Sequence, residues 1–164
     1  MDLFILRHGK AGSSSDSPDD MARALTAEGR AEIRKISRWM RSKKLLFSVI
    51  ATSPLTRALE TAEIVARSLK KNDRIEIWDE LQPGGDPDTV CYHAAQYNKD
   101  VAVLLVGHEP DLSRLAGKII TGGYPANIVL GKGGLIKIRN FSYSKEPSGE
   151  LQWLLTPKQM SEMR

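Results

Sequence analysis

Met1-Asp-Leu-Phe-Ile-Leu-Arg-His-Gly9 opens the chain, and four successive apolar residues run there into an arginine, a histidine and a glycine. The apolar run 3–6 predicts a short buried strand. Burying a guanidinium beside an imidazole is costly unless an anion pairs with them. Glycine lets the backbone turn sharply or approach a ligand closely. A central strand with Arg7, His8 and Gly9 at its carboxyl end therefore predicts an anion site beside a nucleophile or base. The tripeptide alone is a weak signal, and two partners further along the chain give it weight.

The first partner is a second continuous apolar run, 101–106, which ends in Gly107-His108-Glu109-Pro110. In open α/β sheets the ligand crevice lies outside the carboxyl ends of the strands. If the two runs are neighbouring strands, His8 and His108 face one crevice. The chain has three histidines, and two of them sit at this kind of position. His93 has no such context and reads as a surface or partly buried helix residue. The second partner is Arg57. A strand over 47–51 is followed by Ser53-Pro54, read as an N-cap with proline at the first helical position, which places Arg57 about one turn into a helix. Helical side chains lean toward the amino end, where free backbone N–H groups already favour anions. Arg7 and Arg57 can then clamp an oxyanion with planar, multidentate donors. Two arginines and two histidines around one anion point to phosphoryl transfer through a histidine. The residues alone do not say which histidine attacks.

The rest of the chain alternates strand and helix. A Ser-, Gly-, Pro- and Asp-rich loop is expected over 12–20, and then a helix capped by Thr26 and reaching about Ser42, with Ile33, Ile36 and Met40 on its buried stripe. The helix after Pro54 carries Leu55, Ala58, Leu59, Ala62, Val65, Ala66 and Leu69 on one face. A short strand over 75–78 closes in the Pro83-Gly84-Gly85 turn, and a helix is expected over 87–97. Leu112, Leu115, Ile119 and Ile120 belong to the helix after His108. Glycine-rich turns frame a strand over 135–138, and 151–155 reads as the last strand. No repeat or linker interrupts this order. It predicts one domain, 1–164, with a mostly parallel sheet and helices on both faces.

Composition narrows the function. At 164 residues, 41% apolar and 27% charged, the chain suits one globular domain. No apolar run approaches the roughly 20 residues of a membrane span, and a signal peptide is not expected. Cys91 is the single cysteine, which predicts a packed thiol without a disulfide and a reducing, cytoplasmic setting. The net charge of +4 gives little support to nucleic-acid binding, and no aromatics interleave with the basic residues between Arg30 and Lys44. Arg34, Arg38 and Arg41 share a helical face there. It reads as a solvated face or as a docking surface for an acidic protein. The histidines lack metal-ligand spacing, and no carboxylate cluster suits Mg²⁺, so neither metal nor cofactor is expected.

Leu6-Arg-His-Gly9, Ser53-Pro-Leu-Thr-Arg-Ala-Leu-Glu-Thr-Ala62 and Val106-Gly-His-Glu-Pro110 resemble the three signatures of the histidine phosphatase superfamily. Arg23-Ala-Leu-Thr-Ala-Glu-Gly29, Glu80-Leu-Gln-Pro-Gly84, the ending Leu151-Gln-Trp-Leu-Leu-Thr-Pro157 and the short length resemble its small SixA-type phosphohistidine phosphatases. The resemblance spans nearly the whole chain in order. It implies a three-layer α/β/α sandwich of the phosphoglycerate mutase-like kind. His8 would be the nucleophile that becomes transiently phosphorylated, and Arg7, Arg57 and His108 would hold the phosphoryl oxygens. Gly9 joins the substrate-binding set, and Glu80 is the candidate general acid, with Asp79 beside it. The implied substrate is a phosphohistidine-bearing protein such as a phosphotransfer domain, with phosphate as product. A monomer is expected. A phosphatase for small phosphate esters and a catalytically silent phosphohistidine-binding module are the alternatives.

Overall fold

A computed structural model describes residues 1–15, 18–124 and 126–163. Six strands form one sheet: β1 (Asp2–Arg7), β2 (Val49–Thr52), β3 (Ile75–Ile77), β4 (Ala102–Gly107), β5 (Leu135–Tyr143) and β6 (Pro147–Leu155). The order across the sheet is β3-β2-β4-β1-β5-β6. β1 runs parallel to β4, with Arg7 opposite Gly107, and β2 runs parallel to both β4 and β3. β5 and β6 complete the sheet antiparallel.

The helices are α1 (Ala27–Ser42), α2 (Thr56–Leu69), α3 (Pro87–Ala94), α4 (Asp111–Thr121) and α5 (Pro157–Glu162). Successive side chains of a strand point to opposite faces, and both faces of β1 and β4 are buried. Leu3, Ile5, Val103 and Leu105 pack with α3 and α4 residues such as Val90, Leu112 and Leu115. Phe4, Leu6, Leu104 and Val106 pack with Ile33, Ile36, Ala62 and Val65 of α1 and α2 and with Met160 of α5. That two-sided burial is why the strand sequences read as unbroken apolar runs. The result is the three-layer, mostly parallel α/β sandwich expected from the sequence, and His8 and His108 follow neighbouring parallel strands.

Several expectations need correction. Helix α2 begins at Thr56, and Leu55, in an extended conformation, precedes it without a side-chain cap. Ser53 is therefore not an N-cap, and Pro54 is not its first helical residue. The Ser53 hydroxyl instead accepts the Leu55 N–H at 3.2 Å in a local turn. The strands expected over 135–138 and 151–155 are the sheet-embedded ends of a much longer hairpin. It projects as far as Tyr143 and Pro147, with register shifts near Lys137/Ile138 and Arg139/Ser142. Helix α5 was not foreseen, although Thr156 and Gln159 form a reciprocal capping box with Pro157 in the first turn. Residues 16 and 17 of the loop expected over 12–20 lie outside the described residues. The loop ends in a 3₁₀ turn, Asp20–Ala22, capped by Asp19.

Candidate active site

The site is built where three chain segments leave the carboxyl edge of the sheet. β1 releases His8, β4 releases His108, and α2 carries Arg57 in its first turn. The His8 N–H donates to the Gly107 carbonyl at 3.1 Å, so the pairing of β1 with β4 continues through the histidine. The two imidazole rings lie 5.1 Å apart, centroid to centroid, and 54° from coplanar. His8, Arg57 and His108 are all buried, at 6%, 4% and 3% exposure. Arg7 is half-buried, and its Nη1 donates to the Leu130 carbonyl at 3.0 Å.

Hydrogen bonding sets the tautomer of His8. His8 Nδ1 lies 2.7 Å from the Gly9 carbonyl. A carbonyl only accepts, so the proton sits on Nδ1 and the lone pair is on Nε2. His108 Nε2 lies 2.8 Å from the Ser53 hydroxyl oxygen, which also takes the Leu55 N–H. When the hydroxyl gives its hydrogen to Nε2, His108 carries its own proton on Nδ1. That Nδ1 is buried with no partner, as are Arg7 Nε and Arg57 Nε. Buried donors without partners are costly. Arg23 Nε and Trp39 Nε1 are likewise unpartnered, but three of these five atoms fall on residues singled out from sequence and together suit an oxyanion.

Electrostatics keeps both rings neutral. Burial pushes the His8 pKa down to about 4, with Arg57, Arg7 and Lys132 adding to the effect and the Gly9 hydrogen bond opposing it. His108 is lowered to about 3, chiefly by burial, then by His8 and Arg57. At neutral pH the crevice thus holds an unprotonated imidazole nitrogen beside fixed guanidinium charge, an arrangement suited to attack on an electrophilic phosphorus.

Two of the candidate residues have other roles. The Gly9 N–H is taken by the Thr61 hydroxyl at 3.2 Å, which itself donates to the Arg57 carbonyl at 2.7 Å. A Cβ on Gly9 would stand 2.8 Å from Ile33 Cγ1. Gly9 therefore positions His8 against α1 and α2, and its amide is not available to a substrate. Glu80 lies in a 3₁₀ turn, Asp79–Leu81, and its Oε1 is 2.6 Å from His93 Nδ1. His93 in turn stacks on Trp78 at 3.7 Å. Among the described residues, no hydrogen bond or ion pair joins Glu80 to Arg7, His8, Arg57 or His108. Two further carboxylates are also engaged: Glu109 accepts the Ser113 N–H at 2.9 Å and the Ser113 hydroxyl, and Asp20 binds Arg57.

Sequence reasoning missed Asp20, Ser53 as the partner of His108, and Lys132. Arg57 Nη1 donates to the Asp20 carbonyl at 2.8 Å, and Nη2 lies 3.2 Å from its carboxylate. Burial tends to raise the Asp20 carboxyl pKa, but Arg57 and Arg23 outweigh it and hold the group below its usual range. Lys132 lies in the Gly-Lys-Gly-Gly turn 131–134, tied to the site by the Gly133 N–H, which reaches the Arg7 and His8 carbonyls at 3.1 and 3.2 Å. A single cation among glycines was the available signal. Cys91 is buried in α3 with its thiol pushed up to about 12, mainly by burial, and is the packed thiol expected. No group of three or more metal-ligating side chains occurs among the described residues, and no helix there is long and apolar enough to cross a membrane.

Comparison with known proteins agrees with this geometry. The model of the histidine phosphatase superfamily (branch 1) matches residues 3–83. The phosphohistidine phosphatase SixA of Escherichia coli K12 is 30% identical over 159 residues, covering 96% of this chain and 94% of its own. An uncharacterized protein of Picosynechococcus sp. is 31% identical over 162 residues, with 96% and 98% covered. A solved structure of the protein histidine phosphatase SixA complexed with tungstate superposes with a TM-score of 0.82 at 29% identity, covering 96% of this chain and 98% of that one.

Proposed function

Because the chain belongs to the histidine phosphatase superfamily and is a phosphatase of the SixA type, we propose that it removes the phosphoryl group from phosphohistidine on a protein partner. The observation that carries this reading is the pairing of a charged, donor-rich phosphate crevice with the engagement of Glu80, Glu109 and Asp20 in contacts within the protein. His8 Nε2 attacks phosphorus, a P–Nε2 bond forms, and the substrate P–N bond breaks. Arg7, Arg57 and His108 Nδ1 donate to the equatorial oxygens, where fixed charge contributes most to the rate of phosphoryl transfer. Water then attacks the phosphorylated His8, releasing phosphate and returning the electron pair to Nε2. A solved SixA held tungstate, a tetrahedral oxyanion like phosphate, which supports an oxyanion site in this fold.

The leaving group decides the substrate class. An alkoxide departs about as badly as hydroxide, whose parent water has a pKa of about 15.7, and requires an acid in the site. Glu80 and Glu109 are engaged elsewhere, and Asp20, held ionised by Arg57 and Arg23, has no proton to give. Imidazole is basic only to about 6.5, and a phosphoimidazole protonated on its other nitrogen leaves as a neutral ring. Such a substrate needs little help. Turnover as a monomer in a reducing cytoplasm, without metal or cofactor, completes the proposal.

The test is a comparison of kcat/KM on a panel of phosphorylated phosphotransfer domains with that on sugar phosphates, phosphoglycerates and nucleotides. The expected result is a large preference for at least one phosphohistidine protein. A metabolite ester hydrolysed as efficiently as every phosphohistidine protein would overturn the reading. Lack of turnover on all substrates by folded protein would favour a silent binding module.

A further inference from the structure

Helices α1 and α2 run side by side, and between them lies an open groove of about 330 Å³ on the outer face of the molecule. Its end nearer the active site is closed by the Arg30–Glu60 ion pair at 2.5 Å. Glu60 also accepts the Leu25 N–H at 2.7 Å, and Arg30 donates to the Leu25 carbonyl at 2.8 Å. Glu60 lies one helical turn beyond Arg57. At about 1.5 Å rise per residue, the groove continues some 15 Å from the catalytic arginine to Arg67.

Arg34 and Arg38 on α1 and Arg67 on α2 line the groove and are exposed. None has a carboxylate partner among the described residues. Arg30 and Glu60 cancel, and Glu63 opposes only one of the other three cations, so the groove is net positive. Ile64 supplies an apolar contact there, and the lining contains no aromatic ring. A base-stacking surface needs such rings; a surface with carboxylates one helical turn apart needs only the guanidinium ladder.

We propose that this groove is the docking surface for the substrate protein, taking an acidic helical face that flanks the phosphohistidine. The inference rests on the phosphohistidine reading above and adds where the partner sits. The phosphohistidine enters the crevice at the amino ends of α1 and α2, and the partner's carboxylates lie along Arg34, Arg38 and Arg67. Steering by such a surface acts on association, so it appears in kcat/KM and weakens with salt.

The test compares wild type with the Arg34→Glu/Arg38→Glu/Arg67→Glu variant on two substrates. One is a phosphorylated phosphotransfer domain with acidic residues beside its histidine; the other is phosphoramidate, too small to reach the groove. The expected result is a drop of about tenfold or more in kcat/KM on the domain, a salt dependence reversed in sign because the groove is now acidic, and unchanged turnover of phosphoramidate. A domain with those acids changed to Lys should recover activity with the variant. Equal kcat/KM for wild type and variant on the domain would overturn the docking proposal and leave the phosphohistidine reading intact. So would tighter binding of an RNA oligonucleotide than of the domain at the groove. Wild type that cleaves phosphoramidate but none of a panel of phosphohistidine domains would overturn the substrate reading, and the docking proposal with it.

Discussion

Arg57 gives both arms of its guanidinium to one residue, Asp20: Nη1 to the backbone carbonyl at 2.8 Å and Nη2 to the carboxylate at 3.2 Å. The arginine is buried and the aspartate is mostly exposed, with side chains at 5% and 58%. The carboxylate therefore competes with a bound phosphoryl group for the same fork. Asp20→Asn keeps the backbone contact and removes the charge. Inorganic phosphate should then inhibit more strongly, with Ki lowered about three- to tenfold for a partly screened unit charge a few ångströms away. Unchanged or weaker inhibition would mean that the carboxylate serves to hold Arg57 in place.

The pH dependence follows from His8. Its folded-state pKa, about 4, lies below the ordinary value near 6.5, so the imidazole is neutral and competent well into acid. The acid limb of kcat/KM belonging to His8 should fall below pH 5, matching an NMR titration of the His8 ring. Arg57→Ala should move that limb upward, since Arg57 adds to the lowering that burial begins. Stability has the same sign. Between pH 6.5 and about 4 the unfolded chain binds a proton that the folded His8 refuses, so acidification through this window destabilises the fold. The contribution from His8 is on the order of 3 kcal/mol. A His8 ring titrating near 6.5 in the folded protein would contradict both expectations.

Gly9 makes a packing prediction. With a Cβ there only 2.8 Å from Ile33 Cγ1 and 3.3 Å from the Gly29 carbonyl, Gly9→Ala should cost about 1–3 kcal/mol of stability by overpacking. It should also lower kcat by shifting the adjacent His8. Ile33→Ala removes Cγ1 and Cδ1, the atoms the new methyl meets, so it should destabilise less in the Gly9→Ala background than in wild type and recover part of the lost activity. An equal cost in both backgrounds would mean that the Gly29 carbonyl, and not Ile33, resists the methyl.

Glu80 is expected to be dispensable for chemistry. Its carboxylate is held by His93, stacked on Trp78. Glu80→Gln should leave phosphohistidine hydrolysis within about twofold and lower thermal stability slightly, as loss of one charge-assisted hydrogen bond does. A large, selective loss of ester hydrolysis, measured beside phosphohistidine turnover, would restore Glu80 as a general acid.

The parts of this molecule that were legible in the sequence are those buried on two sides. Residues 3–6 and 101–106 announce central strands because both faces are covered, and the histidines that follow them report the crevice. The outer hairpin is different. Beyond Ile138 the strand carries Arg139, Asn140 and Ser142, all exposed, with Asn140 at a positive φ of 55°, so no apolar alternation marks its continuation. The start of α2 was misplaced because Ser53-Pro54 fits a helix cap, while the Ser53 hydroxyl is used by Leu55 and His108. Asp20 escaped notice because it reaches Arg57 from a polar loop 37 residues away in sequence; local pattern carries no trace of such a contact.

In the proposed mechanism His8 Nε2 becomes phosphorylated during turnover. Rapid quench of wild-type protein mixed with a ³²P-labelled phosphorylated phosphotransfer domain, followed by peptide mapping, tests it most directly. The expected result is a transient label on His8 that is lost in acid and survives base, as a phosphoramidate does, and that is absent from folded His8→Ala, which should not turn over. An acid-stable adduct on Ser53 or Cys91, or substantial turnover by His8→Ala, would contradict it.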